Sequence, residues 1–115
     1  MPDALIINLG TNDGGNSLKP QYTEIYTKLV MEASKNYGPN LNVFMACGPM
    51  SEVYCKPIEN VIAAVKAHGV KAHFLDQRGF LNGTFGPACC GHPSVEVDTA
   101  MAKSGAAFIK ATLGW

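Results

Sequence analysis

The feature that most constrains the fold of this chain is the alternation of three short apolar runs with three segments of helical periodicity. The runs cover residues 4–9, 42–48 and 70–76. The helical segments begin near Tyr22, Pro57 and Ser94 and end near Gly38, Gly69 and Leu113. Apolar runs with almost no polar alternation are typical of strands buried on both faces, as in parallel sheets. The alternation therefore predicts an α/β fold, with a parallel sheet covered by helices.

Length and charge narrow the classes of protein that remain. The chain has 115 residues, which predicts one domain over residues 1–115, and its apolar content of 47% is that of a globular protein. Nine basic and nine acidic residues cancel. Since phosphate binding needs concentrated positive charge, we expect no nucleic-acid partner. No apolar stretch reaches the roughly 18 residues of a membrane span, so we expect no membrane partner.

Polar residues collect where the predicted strands end. In open parallel sheets, ligands bind in the loops beyond the carboxyl ends of the strands. We call these loops the carboxyl edge, and here they are residues 10–19, 48–56 and 77–93. The first loop presents Asn12 and Asp13 directly after a strand, and the last presents His92 just before a helix. The sequence therefore places its candidate functional residues on one edge of the sheet.

Two segments on this edge resemble blocks of a known enzyme family. Residues 10–13 read Gly-Thr-Asn-Asp and residues 89–94 read Cys-Cys-Gly-His-Pro-Ser. Together they resemble the third and fifth sequence blocks of the SGNH, or GDSL-type, hydrolases, and residues 84–102 are similar to the carbohydrate-esterase branch. The resemblance spans essentially the whole chain. It implies a three-layer, flavodoxin-like fold that is incomplete, with about three strands in this chain.

The resemblance also implies a role for each matched residue. Asn12 would donate its amide to the oxyanion of a tetrahedral intermediate, and His92 would act as general base and then as general acid. Gly10 would allow a tight turn at the strand end, and Asp13 would hold the loop through backbone hydrogen bonds. The implied reaction removes acyl groups, acetyl first among them, from carbohydrate or small esters without a cofactor. Taken alone, the Asn-Asp-Gly-Gly run is also an ordinary turn sequence.

The chain departs from the family pattern at two positions of the catalytic machinery. Cys89 stands where the family has an Asp, three residues before the His. We therefore expect a Ser-His dyad, with a backbone carbonyl orienting the imidazole. The Gly-Asp-Ser nucleophile block has no counterpart, so the chain is similar to the C-terminal half of the domain. Ser17 is the first candidate for a substitute nucleophile, because it shares a loop with Asn12, and Ser51 is the second. Ser94 is expected to cap the last helix.

Four cysteines, Cys47, Cys55, Cys89 and Cys90, suggest an oxidising environment. The glycosylation pattern Asn-Gly-Thr at residues 82–84 points the same way, toward the secretory pathway. Free thiols in a cytosolic protein are the alternative. We expect a disulfide between Cys55 and either Cys89 or Cys90, which would join two loops of the carboxyl edge. The spacing does not fit zinc, so no metal site is predicted.

Three functions remain open at this point. The first is an SGNH-type esterase that acts on a small ester or an acylated carbohydrate. The second is an inactive carbohydrate-binding module, and the third is a fragment that assembles with a partner. Residues 4–9 match the third strand of the SGNH fold, and in that fold the first strand lies beside the third. We therefore expect that edge to be covered, in a homo-oligomer or by a separately supplied N-terminal half.

Overall fold

The strand and helix alternation expected from the sequence is confirmed. The computed structural model describes residues 1–82 and 87–115, so the Asn-Gly-Thr pattern lies partly outside the described residues. The elements are β1 (Ala4–Ile7), α1 (Pro20–Tyr37), β2 (Asn42–Cys47), α2 (Cys55–Lys66), β3 (Lys71–Asp76) and α3 (Val95–Leu113). Short 3-10 segments, Thr11–Leu18 and Cys89–Gly91, lie in the loops that follow β1 and β3.

The strands form a parallel sheet in the order β1-β2-β3. The register aligns Ala4 with Asn42, and Asn42 with Lys71, so the three strands start level. Helices connect successive strands, as parallel pairing requires. The carboxyl ends of all three strands therefore lie at one edge, and the loops that the sequence singled out all leave from it.

Helices cover the sheet on both faces, which makes three layers. On one face α1 and α2 pack against inward side chains of β2, with Val43, Met45 and Cys47 fully buried. On the other face α3 packs on a smaller cluster of sheet residues: Phe44, Ala46 and Leu75. The structure is thus an α/β fold consistent with an incomplete flavodoxin-like domain.

The expectation that the first strand is buried on both faces is wrong. Ile6 is 55% exposed, and Ala4, Leu5 and Ile7 are only half-buried. In the described residues β1 pairs with β2 alone, and α3 leaves Ile6 open to solvent. One long edge of the sheet therefore carries unpaired backbone groups next to apolar side chains.

The start of α3 matches its prediction. The Ser94 side chain accepts a hydrogen bond from the Val97 backbone N–H at 3.3 Å, which satisfies one of the unpaired donors of the first turn. Ser94 is therefore the N-cap of α3. This cap fixes where the helix begins and so where the loop that contains His92 ends.

The prediction of a disulfide between Cys55 and either Cys89 or Cys90 is wrong. Cys55 bonds to Cys47 across a Cα–Cα distance of 5.3 Å, whereas Cys89 and Cys90 are free and exposed. Cys47 is the last residue of β2 and Cys55 is the first residue of α2. The bond between them therefore joins the two ends of the loop that connects β2 to α2. Both bonded cysteines are buried, and the bridge closes one loop of the carboxyl edge instead of joining two.

Candidate active site

Tyr54 joins the first two loops of the carboxyl edge, and sequence reasoning missed it. Its side chain is fully buried, and its hydroxyl lies 3.0 Å from Thr11 Oγ1 and 3.3 Å from Asn8 Oδ1. The same hydroxyl accepts a hydrogen bond from the Gly48 N–H at 3.1 Å. A buried tyrosine hydroxyl needs partners of this kind. The sequence signal that could have identified Tyr54 is its position as an aromatic residue in a polar loop, outside any helical periodicity.

Two glycines allow the loops to approach this closely. Gly10 has φ +126°, and a Cβ there would lie 2.6 Å from Tyr54 Cγ. Gly48 has φ +97°, and a Cβ there would lie 2.7 Å from the backbone of Gln77, which follows β3. Such distances leave no room for a side chain at either position. The loops after all three strands therefore touch at positions that require glycine.

Asn12 and Asp13 lie on the 3-10 segment Thr11–Leu18, and both side chains are exposed. The Asp13 backbone N–H donates to the Gly10 carbonyl at 3.1 Å, which closes the first turn. Nearby, the Tyr22 hydroxyl donates to the Leu9 carbonyl at 2.8 Å. Burial raises the pKa of Tyr22, and the negative charge of Asp13 raises it further. Asp13 and Tyr22 also line the same open groove.

An open groove borders this segment. It has a volume of about 580 Å³ and runs between the 3-10 segment and α1. Its walls are mostly apolar, with Leu9, Ile25 and Leu29 among them, and Asp13 also contributes to the lining. Grooves of this size and character are typical of small-molecule sites.

His92 is exposed on the loop that follows β3. Its backbone is held on both sides: the Ala88 N–H donates to the His92 carbonyl at 2.7 Å, and the His92 N–H donates to the Cys89 carbonyl at 3.2 Å. An isolated antiparallel bridge between Pro87 and Pro93 closes the loop. These contacts fix the backbone at His92 while its imidazole stays open to solvent.

The structure places Asn12 and His92 on the same edge of the sheet but not in contact. Asn12 follows β1 and His92 follows β3, and β2 lies between these two strands. Because neighbouring strands lie about 4.8 Å apart, β1 and β3 are about 10 Å apart. Within residues 1–82 and 87–115, neither side chain hydrogen-bonds to the other. The structure thus places the two residues on loops at one edge of the sheet without joining their side chains.

The two candidate serines have different surroundings. Ser17 is 1% exposed, and its hydroxyl donates to the Gly14 carbonyl at 2.8 Å. Ser51 is half-buried, and its hydroxyl accepts from the Val53 N–H at 3.4 Å. A nucleophile must reach both its base and the substrate. Attack by Ser17 therefore requires its turn to open, and its role as nucleophile stays a prediction.

Asp76 is the carboxylate at the end of β3. Arg78 donates three hydrogen bonds to its carboxylate, from the backbone N–H at 3.0 Å, from Nε at 2.9 Å and from Nη2 at 2.6 Å. The guanidinium also lies 5.6 Å from the Phe74 ring centre. Hydrogen bonds from Arg78 hold the pKa of Asp76 below its usual range, although burial opposes them. Asp76 is therefore ionised at neutral pH and engaged with Arg78.

The part of the chain that the structure describes has no group of three or more His, Cys, Asp or Glu placed to hold a metal ion. Among the helices described, none is both long and apolar enough to cross a membrane.

The chain is similar to part of a known enzyme. No family model matches the chain, and no solved structure matches it. The chain is 30% identical over 125 aligned positions to Cellulase/esterase CelE of Acetivibrio thermocellus. The alignment takes in the whole of this chain but only 15% of that protein. The chain is thus similar to a small part of a protein whose name records two activities.

Proposed function

We propose that this chain forms the part of an SGNH-type ester hydrolase that supplies the oxyanion donor Asn12 and the general base His92. Its substrates would be acylated carbohydrates or small esters. The observation that carries the proposal is the 30% identity to a cellulase/esterase along the whole chain. The exposure of both residues on loops of one sheet edge supports it.

In the proposed reaction His92 takes the proton of a serine hydroxyl as that oxygen attacks the ester carbonyl. Asn12 donates its amide N–H to the oxygen that becomes negatively charged, and His92 then protonates the leaving alcohol. A water molecule, deprotonated by His92, then attacks the acyl-serine, which releases the acid and returns the proton to the serine. Cys89 occupies the position of the family's Asp, so a backbone carbonyl is proposed to orient the imidazole. The chemistry needs these groups, the nucleophile and water, and no cofactor.

The nucleophile is the part of the proposal to test first. If the chain hydrolyses a short-chain aryl acetate, we expect a serine-directed phosphonate to label Ser17, because Ser17 shares its loop with Asn12. Mass spectrometry of the labelled peptide measures this. Labelling should disappear in Ser17→Ala and persist in the matched control Ser51→Ala. Label on Ser51, or on no serine, would contradict the choice of Ser17.

The buried hydroxyl of Ser17 favours a second candidate function, an inactive carbohydrate-binding or assembly fragment. The groove beside Asp13 would then bind ligand without turning it over. Calorimetric titration with acetylated oligosaccharides separates the two functions. Binding without release of acetate favours the second candidate, and acetate release favours the hydrolase.

We also propose that another strand covers the free edge of β1. Ile6 is 55% exposed there and lines an open groove of about 440 Å³ between β1 and α3, together with Leu75 and Ala106. An open strand edge beside apolar surface pairs readily with other chains. A second copy of the chain would supply such a strand, and so would a separately supplied N-terminal half.

For the isolated chain we expect a dimer in sedimentation velocity at tens of micromolar. Ile6→Lys should shift it to monomer, because a charge on an edge strand opposes pairing. Tyr37→Lys is the matched control, since it removes an exposed apolar side chain at the end of α1, away from the edge. A monomeric wild-type chain would contradict pairing with a second copy.

An oxidising compartment, as in secretion, is the proposed location. The Cys47–Cys55 disulfide supports it, because such bonds persist mainly in oxidising surroundings.

A further inference from the structure

Cys89 and Cys90 form a pair of thiols that the proposed reaction does not use. Both are exposed and free, and their sulfurs lie 2.9 Å apart. The other two cysteines, Cys47 and Cys55, are already bonded to each other. Within the described residues, each of the exposed thiols therefore has the other as its neighbouring sulfur.

The backbone at this pair is unusual. Cys90 has φ +62°, and among the described residues it is the one non-glycine with a positive φ. That conformation costs roughly 1–2 kcal/mol in an L-residue. The hydrogen bond from Ala88 to His92 and the bridge between Pro87 and Pro93 hold the loop closed around it. The loop thus keeps two adjacent thiols together at the surface.

We propose that Cys89 and Cys90 are a reversible redox site, which a small disulfide such as oxidised glutathione converts to a vicinal disulfide. One thiolate attacks a glutathione sulfur, the glutathione S–S bond breaks, and one glutathione leaves. The second cysteine loses its proton and attacks the mixed disulfide, which releases the second glutathione. Two protein thiols are oxidised, and one glutathione disulfide is reduced to two thiols.

Geometry explains why this bond should be easily reversed. Adjacent Cα atoms lie about 3.8 Å apart across a trans peptide, whereas disulfides usually join Cα atoms roughly 4.4–6.8 Å apart. A bridge between Cys89 and Cys90 is therefore strained, and strained exposed disulfides are the readily reduced ones. The buried Cys47–Cys55 bond, with its Cα atoms 5.3 Å apart, lies within the usual range and should resist reduction.

The pair also lies next to the candidate base. Closing the bridge must change the backbone around Cys90, two residues before His92. If the proposed function holds, oxidation would therefore also displace the imidazole. The redox site itself is tested by mass, so the result does not depend on whether the chain hydrolyses esters.

Trypsin separates the two cysteine pairs. Cleavage after Arg78 and Lys103 gives a peptide, residues 79–103, that holds only Cys89 and Cys90. Residues 36–66 hold only Cys47 and Cys55, because Lys56 precedes a proline and is not cleaved. The folded chain is treated with oxidised glutathione and then alkylated with iodoacetamide before digestion. We expect peptide 79–103 to be about 2 Da lighter than its reduced form and free of alkylation, since two hydrogens are lost.

Mild dithiothreitol should restore two alkylatable thiols in peptide 79–103 while peptide 36–66 stays oxidised. Cys90→Ser is the control, because Cys89 alone cannot close the ring and should retain one glutathione. Three results would overturn the proposal: two glutathiones retained on the wild-type peptide, both thiols still alkylated after oxidation, or a disulfide that links peptide 79–103 to another peptide.

Discussion

Replacing His92 with alanine is expected to lower kcat for a short-chain aryl acetate by about a millionfold, as loss of the histidine does in comparable triad enzymes. Without the imidazole, the attacking hydroxyl keeps its proton and the leaving alcohol receives none. Hydrolysis by the purified variant and the wild-type chain, followed by release of the phenol, measures the effect. The side chain is exposed, so the substitution should leave the fold intact.

His68→Ala is the matched control. His68 is also exposed, but it follows α2 and precedes β3, at the opposite edge of the sheet from His92. Its loss should leave kcat unchanged. Circular dichroism of both variants checks that they are folded. Turnover that survives His92→Ala unchanged would end the hydrolase proposal for this site.

The alternation of strands and helices could be predicted because its signals are local. Periodicity over a few residues separates a buried strand from an amphipathic helix, and a serine before an apolar segment indicates a cap. Ser94 illustrates this, since its hydroxyl bonds to an N–H three residues away. The position of the carboxyl edge followed from the same signals, because parallel strands all end on one side.

The disulfide pairing could not be predicted, because it depends on how a loop returns on itself. Cys47 and Cys55 are separated by 8 positions, and nothing in their spacing says that the intervening residues fold back. Tyr54 was missed for a related reason. Its contact with Asn8 joins residues 46 positions apart, a distance over which sequence pattern carries no information.

The prediction that β1 is buried on both faces was wrong for a different reason. An apolar run such as residues 4–9 indicates that a strand tends to be covered, but not by what. In the described residues β1 has a neighbour on one side only, so Ile6 stays exposed. This difference between the pattern and the structure supports the proposal that another strand covers the β1 edge.

Replacing Asn12 with alanine is expected to lower kcat by about a hundred- to a thousandfold, with KM nearly unchanged. An oxyanion donor bonds strongly only to the charged oxygen of the transition state, so its loss should not weaken binding of the ester. The Asn12 side chain is exposed and makes no hydrogen bond within the described residues, so its removal should not destabilise the fold. Steady-state hydrolysis of an aryl acetate gives both constants.

Asn16→Ala is the matched control, because Asn16 is an exposed asparagine on the same 3-10 segment Thr11–Leu18. Asn16 lines the groove between that segment and α1, so its loss acts on substrate binding and KM, whereas kcat should stay within about twofold of wild type. An equal loss in both variants would indicate a disturbed loop and not a missing donor. Asn12→Asp adds a further check: a carboxylate repels the oxyanion, so its kcat should fall at least as far as that of Asn12→Ala. Activity close to wild type in Asn12→Asp would exclude Asn12 as the oxyanion donor.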